Sequence, residues 1–261
     1  MSMVRVECLI VAMLLYGLFI TSVGAGEFDH SHKPYNNVIK QFVKDGLVDY
    51  SGLKLNPKDL SLYLDEAAAV SEANFKSWTK EQQLAFLINL YNAETLRLII
   101  DHYSVRSIKD IAANSEGPWE LPVVSLFGKK ITLNHLEHGI IRKNYDEPRI
   151  HFALVCAALG CLPLRSDPYT AEKLNQQLEE QGRRFISDST KNRVDLENRI
   201  VYLSPIFQWF PQDFVKRSGS VLVFVEAYFP GKVSNELRKW NFKIEYTNYD
   251  WSLNDFSSKR S

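Results

Sequence analysis

One stretch of the sequence constrains the fold more than any other. Thr79-Lys80-Glu81-Gln82 reads as a capping box, in which the threonine and glutamine side chains satisfy each other's free backbone N–H groups, and it opens a helix expected to run through Ile100. Apolar side chains fall on nearly every face of this helix, so the rest of the chain must enclose it. Asn89, Tyr91 and Asn92 interrupt the apolar pattern. A buried amide without a partner costs on the order of 1–3 kcal/mol, so these side chains must either be hydrogen-bonded inside or line a cleft.

The remaining pattern is mixed. A helix is expected over Pro34 to Asp45, ending at Gly46, and another after Asn56-Pro57 through about Val70. Pro122 to Phe127 and Lys130 to Leu133 flank Gly128-Lys129 as a hairpin, and a second hairpin turns at Glu197-Asn198. Ile150 to Cys156 reads as a buried strand and Thr170 to Ile186 as an amphipathic helix. Ser204-Pro205 caps a short aromatic helix, and helices near Ser220 to Tyr228 and Val233 to Trp240 precede a strand at Phe242 to Tyr246. Helix and strand do not alternate regularly, which points to an α+β fold: a central buried helix packed with a small mixed or antiparallel sheet.

At the amino terminus, Leu9 to Ile20 is an apolar run of 12 residues preceded by Arg5 and followed by Val23-Gly24-Ala25. The run is short of the roughly 20 residues needed to span a bilayer, and residues 1–25 read as a cleavable secretory signal that would remove Cys8. A periplasmic or otherwise secreted, extracytoplasmic protein is the expectation, with residues 26–261 as one domain, since no repeat or linker divides them. Basic and acidic residues balance at 31 each, and no long basic run is present, which excludes the electrostatic footprint of a nucleic-acid binder. No further segment is apolar enough to be integral to a membrane.

Reactive side chains concentrate between Asn134 and Arg165, where His135, Glu137, His138, His151, Cys156, Cys161 and Arg165 stand together. On an α-helix His135 and His138 share a face, whereas Glu137 and His138 point about 100° apart and need a local distortion to aim at one atom. On a strand, His151 and Cys156 face opposite ways unless the strand ends or bulges first. A loop thiol beside an imidazolium can be activated as a nucleophile. The same cysteines have two quieter readings: Cys156 packed as a small hydrophobe, or Cys156 and Cys161 joined as a disulfide closing a tight loop. HxxH lacks the i, i+4 histidine pair that grips zinc, so neither a metal nor another cofactor is expected. Trp119 and the set Phe207, Trp209, Phe210 and Phe214 fall at core-like positions and are expected to pack inside rather than to cage a ligand.

Taken together, Val48-Asp49-Tyr50, the helix segment Gln83 to Ala93, Pro118-Trp119, Leu136-Glu137-His138, Arg149 to Cys156, Gly160-Cys161 and Ser204 through Phe214 resemble the domain of unknown function 547 family. The resemblance covers about Phe28 to Leu253 in one order and implies a secreted bacterial protein, with relatives at the C-terminus of plant proteins. Carried over by position, it points to Asn89, Tyr91, Asn92, Glu137, His138, His151, Cys156 and Cys161. The chain departs from the family in having Leu87 where tryptophan is usual, and Leu162 between Cys161 and Pro163. A helix followed by a strand with a leading histidine is also similar to papain-like and transglutaminase-like folds, an analogy of fold alone.

These residues suggest a thiol-dependent hydrolase or acyltransferase. Cys161 would be the nucleophile, His151 or His138 the general base, Glu137 the orienting acid and Asn89 or Asn92 an oxyanion donor, with Tyr91, Cys156 and Arg165 contacting the ligand. The alternative is a non-catalytic envelope binding module with structural or disulfide-bonded cysteines. In either case the partner is a small molecule, peptide or envelope component.

Overall fold

The computed structural model describes residues 27–112 and 114–256, so the segment read as a signal, with Cys8, lies outside the described residues. The capping box forms as expected: Gln82 N–H donates to Thr79 Oγ1 and Thr79 N–H to Gln82 Oε1. It starts the long helix α5 (Lys80–His102), and 17 of its 23 residues are buried.

Around α5 the chain lays down short elements. Helix α1 (Lys33–Phe42) enters a hairpin of β1 (Val43–Lys44) and β2 (Leu47–Val48), turning at Asp45-Gly46. Helices α2 (Tyr50–Leu55), α3 (Lys58–Ala68) and α4 (Glu72–Ser77) follow, and α2 and α3 pack against α5. Next come the β3–β4 hairpin (Val124–Leu126, Lys129–Ile131), a π-helix (His135–Ile141) and α6 (Arg142–Asn144). Helix α7 (Leu174–Ile186) precedes β5 (Arg193–Asp195) and β6 (Ile200–Leu203), and helices α8 (Ile206–Trp209), α9 (Pro211–Ser218), α10 (Val221–Glu226) and α11 (Gly231–Lys239) lead to β7 (Lys243–Tyr246). β5 pairs antiparallel and β7 parallel with β6, giving a mixed sheet. The fold is α+β, with one apolar cluster running from Tyr35 to Leu253. Among the described residues no helix is long and apolar enough to cross a membrane.

One element departs from the sequence reading in a way that shapes the site. Ile150 to Cys156 is not a strand: Pro148–Phe152 is a 3-10 turn capped by Glu147, whose carboxylate accepts from Arg149 N–H. The residues after it pair with a side chain instead of a neighbouring strand. Asn92 Nδ2 donates to Ala153 O at 2.9 Å, and Val155 N–H donates to Asn92 Oδ1 at 2.8 Å. One amide thus supplies both bonds that a strand partner would have made. Asn89 does the same for Tyr169, donating to its carbonyl and accepting from its N–H.

Residues 249–255 then cross the cysteine loop. Gly160 N–H donates to Asp250 O, Leu159 N–H to Ser252 O and Asn254 N–H to Ala157 O. A Cβ on Gly160 would lie 2.7 Å from Asp250 N, so this close approach requires glycine.

Candidate functional site

Where these segments meet lies a cleft of about 350 Å³. The chain brings it together from five places: Tyr91 on α5, the segment from Glu116 to Glu120, Glu137 and His138 on the π-helix, the turn and loop from His151 to Cys161, and a wall from Trp209 to Trp251.

The π-helix resolves the angular conflict between Glu137 and His138. Its wider turn puts both side chains on the cleft, Glu137 Oε1 lying 3.9 Å from His138 Nδ1, while His135 faces away rather than sharing the His138 face. Such π-turns are rare and concentrate at functional sites. Burial, then the nearby Glu137 charge, drive the Tyr91 phenol well above its usual range.

His151 and Cys156 both reach the cleft because the backbone between them is a turn and a side-chain-bound loop, which cancels the strand parity. His151 is buried at 4 % exposure, stacks flat on Phe210 at 4.4 Å and 9°, and donates from Nε2 to Asp213 Oδ2 at 2.7 Å. Arg142 closes this network. It donates from Nε and Nη2 to both oxygens of Asp213, at 2.7 and 3.0 Å, and from Nη1 to His138 Nδ1 at 2.9 Å. Arginine can only donate, so His138 accepts at Nδ1 and as a neutral ring carries its proton on Nε2. Burial alone would raise the Asp213 carboxyl, but the bonds from His151 and Arg142 outweigh it and hold Asp213 far below the usual carboxylate range.

Both thiols are free. Cys156 N–H donates to Cys161 Sγ at 3.2 Å, and Cys156 Sγ lies 3.0 Å from Tyr249 Oη. Cys161 Sγ also lies 3.8 Å from Leu154 O, within reach of donating to it. The neighbouring Cys161 thiol and burial drive the Cys156 thiol well above its ordinary value. Burial pushes Cys161 up too, but the neighbouring Cys156 thiol and the hydrogen bond from the Cys156 N–H bring it below its ordinary value. Among the described residues, neither sulfur is hydrogen-bonded to a histidine.

The other sequence candidates sit elsewhere. Both ends of the Asn89 and Asn92 amides are engaged by backbone. Arg165 does not line the cleft; it pairs with Asp167 and Glu180 and donates to Gln177 O beside α7. The aromatic expectation also divides. Phe207 and Phe214 are fully buried core, but Trp209 is 43 % exposed and lines the cleft with Phe210 and Trp119. Trp209 stacks on Trp251 at 5.8 Å and meets Tyr249 at 4.8 Å. Asp213, Tyr249 and Trp251 were missed. The Asp at the fourth residue after Trp209 could have been matched to Arg142, but nothing local in Tyr249 or Trp251 marks them as cleft residues.

Glu116 and Glu120 complete the lining, giving three carboxylates with Glu137, and no lysine or arginine is among the lining residues. Among the described residues no group of three or more His, Cys, Asp or Glu side chains is arranged to hold a metal ion.

Residues 75–186 match the model of a family described as a protein of unknown function, DUF547. No curated protein and no solved structure matches the chain. The match is narrower than the span from Phe28 to Leu253, and Asp213 and the wall from Trp209 to Trp251 come from beyond it. The segment that supplies Tyr91, Glu137, His138, His151, Cys156 and Cys161 to the cleft therefore lies within the match to DUF547, a family described as of unknown function.

Proposed function

We propose that the chain is a binding module whose cleft takes a small organic cation, or the cationic side chain of a peptide. The observation that carries this reading is the composition of the lining: three carboxylates and the rings of Trp119, Trp209, Phe210, Tyr249 and Trp251, with no lysine or arginine among the lining residues. A chain balanced at 31 basic and 31 acidic residues has no general excess of acid to account for this. Ring faces attract cations by about 0.5–2 kcal/mol each, more when water is excluded. The wall already shows the preference, since Lys109 Nζ lies 4.5 Å from the centroid of the Trp251 ring.

The chain carries its own reporter, because three of its five tryptophans line the cleft. Choline, arginine amide and spermidine are expected to change tryptophan emission saturably, weakened by salt and by Trp209→Ala. Succinate and other small anions are expected to leave it unchanged. Equal responses to anions and cations would reject the reading.

A second reading keeps Cys161 as the nucleophile of a thiol-dependent hydrolase or acyltransferase in an extracytoplasmic setting. It is favoured by a thiol held below its ordinary pKa on the same cleft as His138 and His151. It lacks the sulfur-to-imidazole bond such a mechanism uses, although those bonds are often long without substrate. Iodoacetamide at neutral pH separates the cases. Alkylation of Cys161 faster than a free thiol supports the nucleophile, and a slower reaction removes it.

A further inference from the structure

We propose that Cys156 and Cys161 form a dithiol site that undergoes reversible exchange with a small disulfide such as oxidised glutathione, closing to an internal disulfide on the cleft wall. This does not depend on what the cleft binds.

The backbone has already brought the pair together. Cys161 Sγ sits 3.2 Å from Cys156 N, so the Cys161 sulfur lies against the backbone of the residue whose thiol it would join, and both thiols are free. The loop between them is folded back by Cys161 N–H donating to Ala158 O, with Ala157 at φ 59°. A left-handed non-glycine residue persists only where its surroundings hold it, and here residues 250–254 do so, through Asp250 O, Ser252 O and the Asn254 N–H. Closure therefore needs side-chain rotation rather than refolding of the loop.

The pair is also asymmetric in the way exchange requires. Cys161 Sγ accepts the Cys156 N–H at 3.2 Å and its own hydrogen reaches Leu154 O only at 3.8 Å, whereas Cys156 Sγ faces the Tyr249 hydroxyl at 3.0 Å; the Cys161 thiol is accordingly held below its ordinary value and the Cys156 thiol above it. The acceptor, Cys161, is the attacking group and Cys156 the resolving one. Cys161 thiolate attacks one sulfur of R–S–S–R, forming a Cys161–S–S–R bond and expelling R–S⁻. Cys156 then loses its proton and attacks Cys161 Sγ, forming the internal disulfide and expelling the second R–S⁻. Two protein thiols are oxidised, one external disulfide is reduced by two electrons, and the two protons pass to the two released thiolates. Both cysteines line the cleft, which gives the incoming disulfide its approach.

The test incubates the folded chain with oxidised glutathione, followed by denaturing thiol titration and peptide mass mapping. The expected result is loss of both thiols together, a 156–161 linked peptide lighter by about two mass units, and full recovery with dithiothreitol. Cys156→Ser should stall with glutathione on Cys161, and Cys161→Ser should stay largely unmodified. Tryptophan emission gives a second readout on the unmutated chain. Tyr249 loses its thiol partner on closure and packs on Trp209 and Trp251, so emission should shift on oxidation and return on reduction. Thiols that stay unreacted while the chain is folded would overturn the proposal. So would independent glutathione adducts on both cysteines without a linked peptide.

Discussion

Asn92→Ala is the perturbation that probes the site's construction most sharply. The Asn92 side chain is 2 % exposed and forms two good hydrogen bonds, to Ala153 O and from Val155 N–H. Ala153 and Val155 are themselves buried, at 1 % and 4 %, so water does not replace the amide. Each of the two orphaned backbone groups costs about 1–3 kcal/mol, giving a loss of about 2–6 kcal/mol. Against the ~5–15 kcal/mol that holds a typical domain together, this is a large fraction. Urea unfolding followed by far-UV circular dichroism should show the midpoint fall with little change in slope. Amide exchange at 153–156 should accelerate more than in the centre of α5. Asn92→Asp adds a control: ionised, it accepts from Val155 N–H but opposes Ala153 O, and protonated it can donate to that carbonyl. Its deficit relative to the unmutated chain should therefore shrink as pH falls. If Asn92→Ala lost less than about 0.5 kcal/mol and left exchange at 153–156 unchanged, the claim that this amide replaces a strand partner would be wrong.

Three further outcomes follow from the geometry. Burial holds His32 neutral, its pKa pushed down to about 3 from 6.5, with Nδ1 bonded to the Tyr63 hydroxyl. The unfolded chain then binds one more proton than the folded one between these values, so stability should fall as pH drops below about 6.5, by at most about 1.4 kcal/mol per pH unit, and His32→Gln should flatten that decline in pH-dependent urea melts. Asp213→Asn removes the partner of Arg142 and His151; because the carboxyl is depressed, its contribution exists above the usual carboxylate range and fades in acid, so the variant should lose roughly 1 kcal/mol at pH 7 and progressively less below about pH 4, as thermal melts across pH would show. Gly160→Ala sets a methyl 2.7 Å from Asp250 N, and should cost about 1–3 kcal/mol while speeding alkylation of Cys156, which rapid labelling with mass analysis reads directly.

What the sequence disclosed follows how local its physics is. The capping box at Thr79 and Gln82 and the hairpin at Gly128 are set by residues two to three apart; the box forms as read, and the hairpin forms with its turn one residue earlier, at Phe127-Gly128. The density of reactive groups between Glu137 and Cys161 was also visible, and the cleft gathers most of them. Their geometry was not visible. The apolar run at Ile150 to Cys156 has the look of a strand, but its hydrogen bonds go to Asn92, 61 and 63 residues earlier in the chain, which no periodicity encodes. Asp213 lies 62 residues from His151, and Tyr249 lies 93 from Cys156. Trp209 and Phe207 are two apart in one aromatic cluster, yet one faces the cleft and the other the core, because α8 is a single turn on the cleft's edge. Identical spacing signals would have served either role.

Charge preference in the cleft is what the functional reading turns on. It is isolated most directly by titrating tryptophan emission with matched pairs that share shape and differ in charge: choline with 3,3-dimethylbutan-1-ol, and arginine amide with citrulline amide. A preference of about 1.4 kcal/mol, within what one or two cation–ring contacts supply, is tenfold in affinity. At least one cation should bind about tenfold more tightly than its neutral partner, with that preference reduced in Glu137→Gln. Neutral members binding as well as the cations, or no saturable response to either cation, would contradict the account.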